Sequence, residues 1–129
     1  MPNVMIFAGA NGSGKTTLAH TVLEANAYFI NADEIREKGK LSYLDAGERA
    51  LNEIDQHIGK GETFAFETTM SGLGLEKRLR RLREKGYAIQ IFYLFAHPLD
   101  LLKERIKERR IFVIQGQVPG IDVTSVIMI

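Results

Sequence analysis

A chain of 129 residues, 45% hydrophobic and 26% charged, has the size and composition of one soluble globular domain spanning 1–129. It contains no cysteine, which excludes disulfides, thiol catalysis and cysteine-ligated metals. The net charge of +1 argues against a nucleic-acid-directed surface. No apolar stretch is long enough to span a bilayer and no export signal is visible, so the expected location is cytoplasmic and off the membrane.

In chain order, the apolar run Val4-Met5-Ile6-Phe7-Ala8 predicts a buried strand. It leads directly into Gly9-Ala10-Asn11-Gly12-Ser13-Gly14-Lys15-Thr16, which fits the phosphate-binding pattern G-x-x-x-x-G-K-[ST] at every fixed position. A helix is expected from Thr16 to Ala25. Strand, glycine-rich loop and helix together place backbone N–H groups at a helix N-terminus, where they form an anion-binding concavity. The Lys15 ammonium can reach the β- and γ-phosphates, and the Thr16 hydroxyl can ligate Mg²⁺. This segment implies binding of a nucleoside triphosphate, ATP with Mg²⁺.

Further strands are expected at Ala27–Ile30, Thr63–Phe66 and Tyr87–Phe95. The intervening helices are expected at about Tyr43–Ile58, Leu73–Lys85 and Leu99–Arg110, with Gly59, Gly61 and Gly86 near helix ends. In the second helix Leu44, Leu51, Ile54 and Ile58 fall near helical spacing and read as its buried stripe. Strands that are apolar on both faces and alternate with helices predict an α/β fold: a three-layer P-loop NTPase sandwich with a mainly parallel central sheet.

Open α/β sheets place ligands at the C-terminal ends of their strands. There the second strand offers Asn31-Ala32-Asp33-Glu34 and the third Glu67-Thr68-Thr69-Met70-Ser71-Gly72. Asp33 can accept a hydroxyl proton or hold Mg²⁺ through water; alternatively it caps a short following helix, a role Asn31 could fill equally well. Glu67 can recognise a hydroxyl or sugar, sit in a metal shell, or cap the helix after Gly72. Six cations between Glu76 and Lys85, spaced around Leu75, Leu79 and Leu82, read as a solvated helix face. Arg105 and Arg109 share a helix face, where they can contact phosphates from a closing lid or simply form surface ion pairs. His20, His57 and His97 show no metal-ligand spacing.

The phosphate loop extended through Thr17, the segment Asn31-Ala32-Asp33-Glu34-Ile35 and the segment Phe64-Ala65-Phe66-Glu67-Thr68-Thr69-Met70-Ser71-Gly72 together resemble the zeta-toxin-like P-loop kinase family. The Gly86-Tyr87 entry to a strand and Glu104-Arg105-Ile106-Lys107-Glu108-Arg109 are also similar. The resemblance implies ATP-dependent phosphoryl transfer to a hydroxyl of a small molecule, which in the toxin branch is UDP-N-acetylglucosamine. It further implies Asp33 as general base, Asn31, Glu67 and Thr68 as substrate-contacting, Arg105 and Arg109 as lid arginines, and an antitoxin-like partner. The chain departs from that pattern at 110–129, where no lysine or arginine follows Arg110 and only Gln115-Gly116-Gln117-Val118-Pro119 is faintly similar. Val123 to Ile129 reads as a strand at the sheet edge or in a homodimer contact. A truncated or divergent relative has this appearance, so the alternative function is a nucleotide-binding protein or ATPase with little kinase activity.

Overall fold

A computed structural model describes residues 2–10, 12–69, 73–94, 112–114, 117–118, 121–122 and 125–128. The chain begins with strand β1 (Asn3–Gly9), helix α1 (Lys15–Val22), strand β2 (Phe29–Ile30) and helix α2 (Ala32–Gly39). It continues through α3 (Tyr43–Lys60), β3 (Phe64–Thr68), α4 (Leu73–Glu84) and β4 (Ala88–Leu94). The last strands are β5 (Phe112–Ile114), β6 (Gln117–Val118), β7 (Ile121–Asp122) and β8 (Ser125–Met128). The six-stranded sheet has the order β2-β3-β1-β4-β8-β5, while β6 and β7 pair separately. Pairings from β2 through β8 are parallel, and only β5 runs antiparallel, against β8.

The alternating strand residues divide between two cores. Val4, Ile6 and Ala8 of β1 join Phe64, Phe66, Ile89 and Ile91 beneath α3 and α4. Phe7, Ala65, Phe92 and Leu94 point the other way, against Leu18 and Ala19 of α1. Both faces of the sheet are thus covered, which is why its strands carry continuous apolar runs instead of an alternating pattern. Phe7 and Phe92 stack at 4.9 Å between ring centroids, locking the two central strands on the α1 side. The Tyr87 hydroxyl lies 2.6 Å from the Glu62 carbonyl and 3.0 Å from that of His57, pinning the end of α3 to the start of β4. Among the described residues no helix is long and apolar enough to cross a membrane.

Three expectations are corrected. The buried stripe of α3 is Ala46, Ala50, Ile54 and Ile58, at strict i, i+4 spacing, whereas Leu44 is 73% and Leu51 43% exposed. Small alanines let α3 lie close to the sheet, and the leucines fall to one side of that contact. The helix runs through Gly59 and stops at Gly61, whose φ of 67° supplies the left-handed cap. The tail strand is not an edge: β8 is paired on both sides, by β4 and β5, which leaves β5 as the sheet margin and takes both of β8's hydrogen-bonding edges within the chain. The predicted helix Leu99–Arg110, with Arg105 and Arg109, lies outside the described residues.

Candidate active site

The phosphate loop is shaped by steric demand at its glycines. A Cβ on Gly9 would stand 2.6 Å from the Leu94 carbonyl oxygen and 2.8 Å from Ser13 Oγ, so no larger residue fits where β1 leaves the sheet. Gly14 caps α1 from the left-handed region, at φ 97° and ψ 20°, a conformation glycine adopts without penalty. Ser13 N–H donates to the Ala10 carbonyl at 3.1 Å, closing the loop on itself. No side chain caps α1, so the N–H groups of its first turn face the loop's concavity with the positive end of the helix dipole behind them. Ser13 Oγ is buried and finds no hydrogen-bond partner among the described residues. A buried orphan hydroxyl, uncapped amides and a lysine in one concavity are the donor set that a polyphosphate fits.

Lys15 is buried, 5% exposed. Its ammonium donates to the Gly9 and Ala10 carbonyls at 2.8 and 3.1 Å, and lies 3.8 Å from Glu67 Oε1. The Thr16 hydroxyl donates to Glu67 Oε2 at 2.9 Å and receives the Asn31 amide at 3.4 Å. The parallel register of β1 with β3 pairs Phe7 with Glu67 and Ala8 with Thr68, which carries the carboxylate to the level of the loop. Burial pushes the Glu67 carboxyl above its ordinary range; the Thr16 hydrogen bond and the Lys15 charge oppose that rise, and repulsion from Asp33 adds to it.

Asn31, not Asp33, caps α2: its Oδ1 accepts the Asp33 backbone N–H at 3.0 Å. One buried amide therefore fixes the helix start with its oxygen and touches Thr16 with its nitrogen. This leaves Asp33 in the first turn with an exposed carboxylate and no capping duty. Asp33, Asn31, Lys15, Glu67 and Thr68 all line one cavity of about 490 Å³. Gly9, Ala10, Gly12, Ser13, Gly14 and Thr17 surround the neighbouring loop, while Asn11, Arg105 and Arg109 lie outside the described residues.

The far wall of the cavity was not anticipated. Gly47, Ala50, Leu51 and Ile54 of α3, Gly74, Leu75 and Arg78 of α4, and Phe66 of β3 also line the cavity. The displaced leucine of α3 was the available signal, since an apolar residue off the core stripe either packs elsewhere or borders a cavity. Among the described residues no group of three or more His, Asp or Glu side chains is arranged to hold a metal. Magnesium does not need one, because it takes few protein oxygens and completes its shell with water and phosphate. The adjacent oxygens of Thr16 and Glu67 fit that requirement.

A family model described as AAA domain matches residues 4–111. The chain belongs to this AAA domain family. An uncharacterized protein of Haemophilus influenzae is 33% identical over 119 residues, covering 84% of this chain and 82% of the relative. A chain of the PezAT chromosomal toxin–antitoxin system of Streptococcus pneumoniae superposes with a TM-score of 0.59 at 20% identity, covering 72% of this AAA domain and 46% of that chain. A protein from Chloroflexus aurantiacus J-10-fl, described as a candidate kinase, gives 0.57 at 18% identity over 84% of this chain and 67% of that one. At such identities the likeness is one of fold, and the AAA domain spans less than half of the PezAT chain. The resemblance to zeta-toxin-like P-loop kinases stands at that level: this is a nucleotide-binding-type P-loop domain with a kinase-like architecture.

Proposed function

We propose that this AAA domain is an ATP-dependent kinase that phosphorylates a hydroxyl of a small molecule. The observation that carries the proposal is the continuity of the phosphate loop with a 490 Å³ cavity through Lys15 and Glu67, with the uncommitted carboxylate of Asp33 on the cavity wall. Residues 9–17 cradle the polyphosphate, and Lys15 leaves its loop carbonyls to neutralise phosphoryl charge. Thr16 and Glu67 hold Mg²⁺, whose chemistry when bound is to offset charge on the phosphate oxygens. Glu67 thus serves the metal side of the cleft as well as the acceptor side. Asn31 positions Asp33 relative to Thr16, and Asp33 accepts the proton of the acceptor hydroxyl as its oxygen forms the new bond to the γ-phosphorus, while the bond from that phosphorus to the β–γ bridging oxygen breaks and ADP leaves. Thr68 contacts the acceptor; the family resemblance adds Arg105 and Arg109, outside the described residues, as further cations for the phosphates.

The test is acceptor-dependent ADP release with ATP, Mg²⁺ and a panel of hydroxylated small molecules, UDP-N-acetylglucosamine among them. ADP release that no acceptor accelerates would instead favour a nucleotide-binding protein or ATPase, the reading suggested by the lack of lysine and arginine after Arg110. The toxin–antitoxin membership of the PezAT relative suggests an antitoxin-like partner here, testable by co-purification of the product of an adjacent gene.

A further inference from the structure

Two electrically different groups line the cavity. One is the carboxylates of Asp33 and Glu67 with the ammonium of Lys15. The other is Arg78, which is held by three contacts. Its Nε and Nη2 donate to the two oxygens of Asp55 at 3.1 Å each, and its Nη1 donates to the Gly74 carbonyl at 3.1 Å. The guanidinium lies directly over Gly74, where a Cβ would approach Nη1 to 2.8 Å. Arg81 also approaches Asp55, at 3.7 Å, so one carboxylate is shared by two guanidinium groups and the three side chains together carry an excess positive charge. Of the five guanidinium N–H donors, three hold Arg78 in place, and two have no acceptor among the described residues. Much of the remaining lining is apolar or small: Ala50, Leu51, Ile54, Phe66 and Leu75, with Gly47 on the α3 side.

From this arrangement we infer that Arg78 is a specificity-determining residue that recognises an anionic group on the acceptor. The acceptor is a hydroxyl-bearing molecule with an apolar or planar body and a carboxylate or phosphate remote from the hydroxyl. Charge sets the orientation: the anionic group is repelled from Asp33 and Glu67 and drawn to Arg78, which delivers the hydroxyl to Asp33. Asp55 is a positioning residue, since its two bonds fix the plane of the Arg78 guanidinium, which lines the cavity. Gly47 lines the cavity and a Cβ there would meet no atom within 4 Å, so a larger side chain at 47 has room to enter it. The inference rests on the kinase reading only for the direction in which the acceptor lies; the anion preference is measurable without turnover.

The experiment titrates three probes into the protein saturated with Mg²⁺ and a non-hydrolysable ATP analogue, read by NMR chemical shifts. The probes are 4-(hydroxymethyl)benzoate, 4-(hydroxymethyl)phenylphosphonate and the neutral 4-(hydroxymethyl)benzamide. The two anions should bind at least roughly tenfold tighter than the amide, as one charge-assisted contact provides, and the better of the two distinguishes carboxylate from phosphate. Arg78→Gln should erase this preference and Arg78→Lys should keep part of it, while the affinity for the ATP analogue stays unchanged in both. Gly47→Phe should abolish binding of all three probes, again without change in analogue affinity. Equal binding of amide and anions, no detectable binding of either anion, or a preference that survives in Arg78→Gln would overturn the inference. Failure of the ATP analogue to bind would sink the phosphate-loop reading instead, and the charge preference of the cavity would still be read from the carboxylate and amide probes.

Discussion

The two ends of this cleft meet at Lys15 and Glu67 yet are built in opposite ways. The phosphate loop is made by consecutive residues, Gly9 to Thr16, whose shape follows from forbidden Cβ positions and from hydrogen bonds the loop makes with itself. The acceptor cavity is assembled from five elements, α1, α2, α3, β3 and α4, and its middle is defined by small and apolar side chains with few polar atoms. A rigid polar loop suits a ligand portion that never changes. A wall of interchangeable apolar residues carrying one anchored charge suits the portion that distinguishes one substrate from another.

Lys15→Ala should break the phosphate end most severely. Nucleotide affinity should fall by roughly 10- to 100-fold, the worth of a strong charge-assisted contact, and turnover should disappear. The melting temperature should move little, because the ammonium is bound to loop carbonyls and not to the core. Calorimetric titration of ATP checks this, and an unchanged affinity would refute the loop as the nucleotide site.

Asp33→Asn tests the junction of the two ends. With Asn31 already capping α2, Asp33 has no structural duty that asparagine fails to meet. Acceptor-dependent phosphorylation should fall by about 10²–10⁴-fold, the usual value of a positioned general base, at unchanged ATP affinity. Asn31→Ala gives the reverse signature. It should cost about 0.5–2 kcal/mol in chemical denaturation through the lost cap and reduce rate only through a less well-placed Asp33.

This contrast also explains what could be read from the residues in order. The first four strands and the phosphate loop were legible because their signals are local: apolar runs of the right length, and a motif whose glycines answer to backbone geometry. The core face of α3 was misjudged because leucine outweighs alanine in any hydrophobic pattern, while close packing against a sheet selects the smaller side chain, as at Ala46 and Ala50. Asp33 and Asn31 could not be assigned between cap and base, since both residues suit an N-cap and only the observed bond from Asp33 N–H to Asn31 decides. Arg78 looked like one cation among many on a solvated helix. Its meaning depends on Asp55, 23 positions away in sequence.

Glu67→Gln separates charge from hydrogen bonding at the metal side. The folded protein holds the Glu67 carboxyl above its ordinary range, so the fold favours the protonated form. Wild-type stability should therefore decline as pH rises from the unfolded value of about 4.3 through the raised folded value, and level off above it. Glutamine can still accept the Thr16 hydrogen bond but carries no charge to desolvate. The variant should be more stable than wild type at neutral pH, and the difference should vanish below about pH 4. Denaturant midpoints across that range decide it, with weakened Mg²⁺ dependence of nucleotide binding as the accompanying loss.

The smallest effect carries the comparison into a single methyl group. Gly47 lies inside an 18-residue helix and is absent from the residues with positive φ, so nothing in its backbone requires glycine. A Cβ there touches nothing within 4 Å. On helix propensity alone Gly47→Ala should stabilise the domain by about 0.5–1 kcal/mol, because alanine surrenders less backbone entropy on folding. The space the methyl group enters is the slot between α3 and α4, so the same change should raise the acceptor KM while leaving ATP affinity untouched. Thermal denaturation and acceptor titration on one variant measure both quantities. A gain in stability joined to a loss in acceptor affinity means that the glycine is there to keep the slot open. A gain in stability with acceptor kinetics unchanged would show that the acceptor does not pass α3, and would confine the working site to Lys15, Asp33 and Glu67.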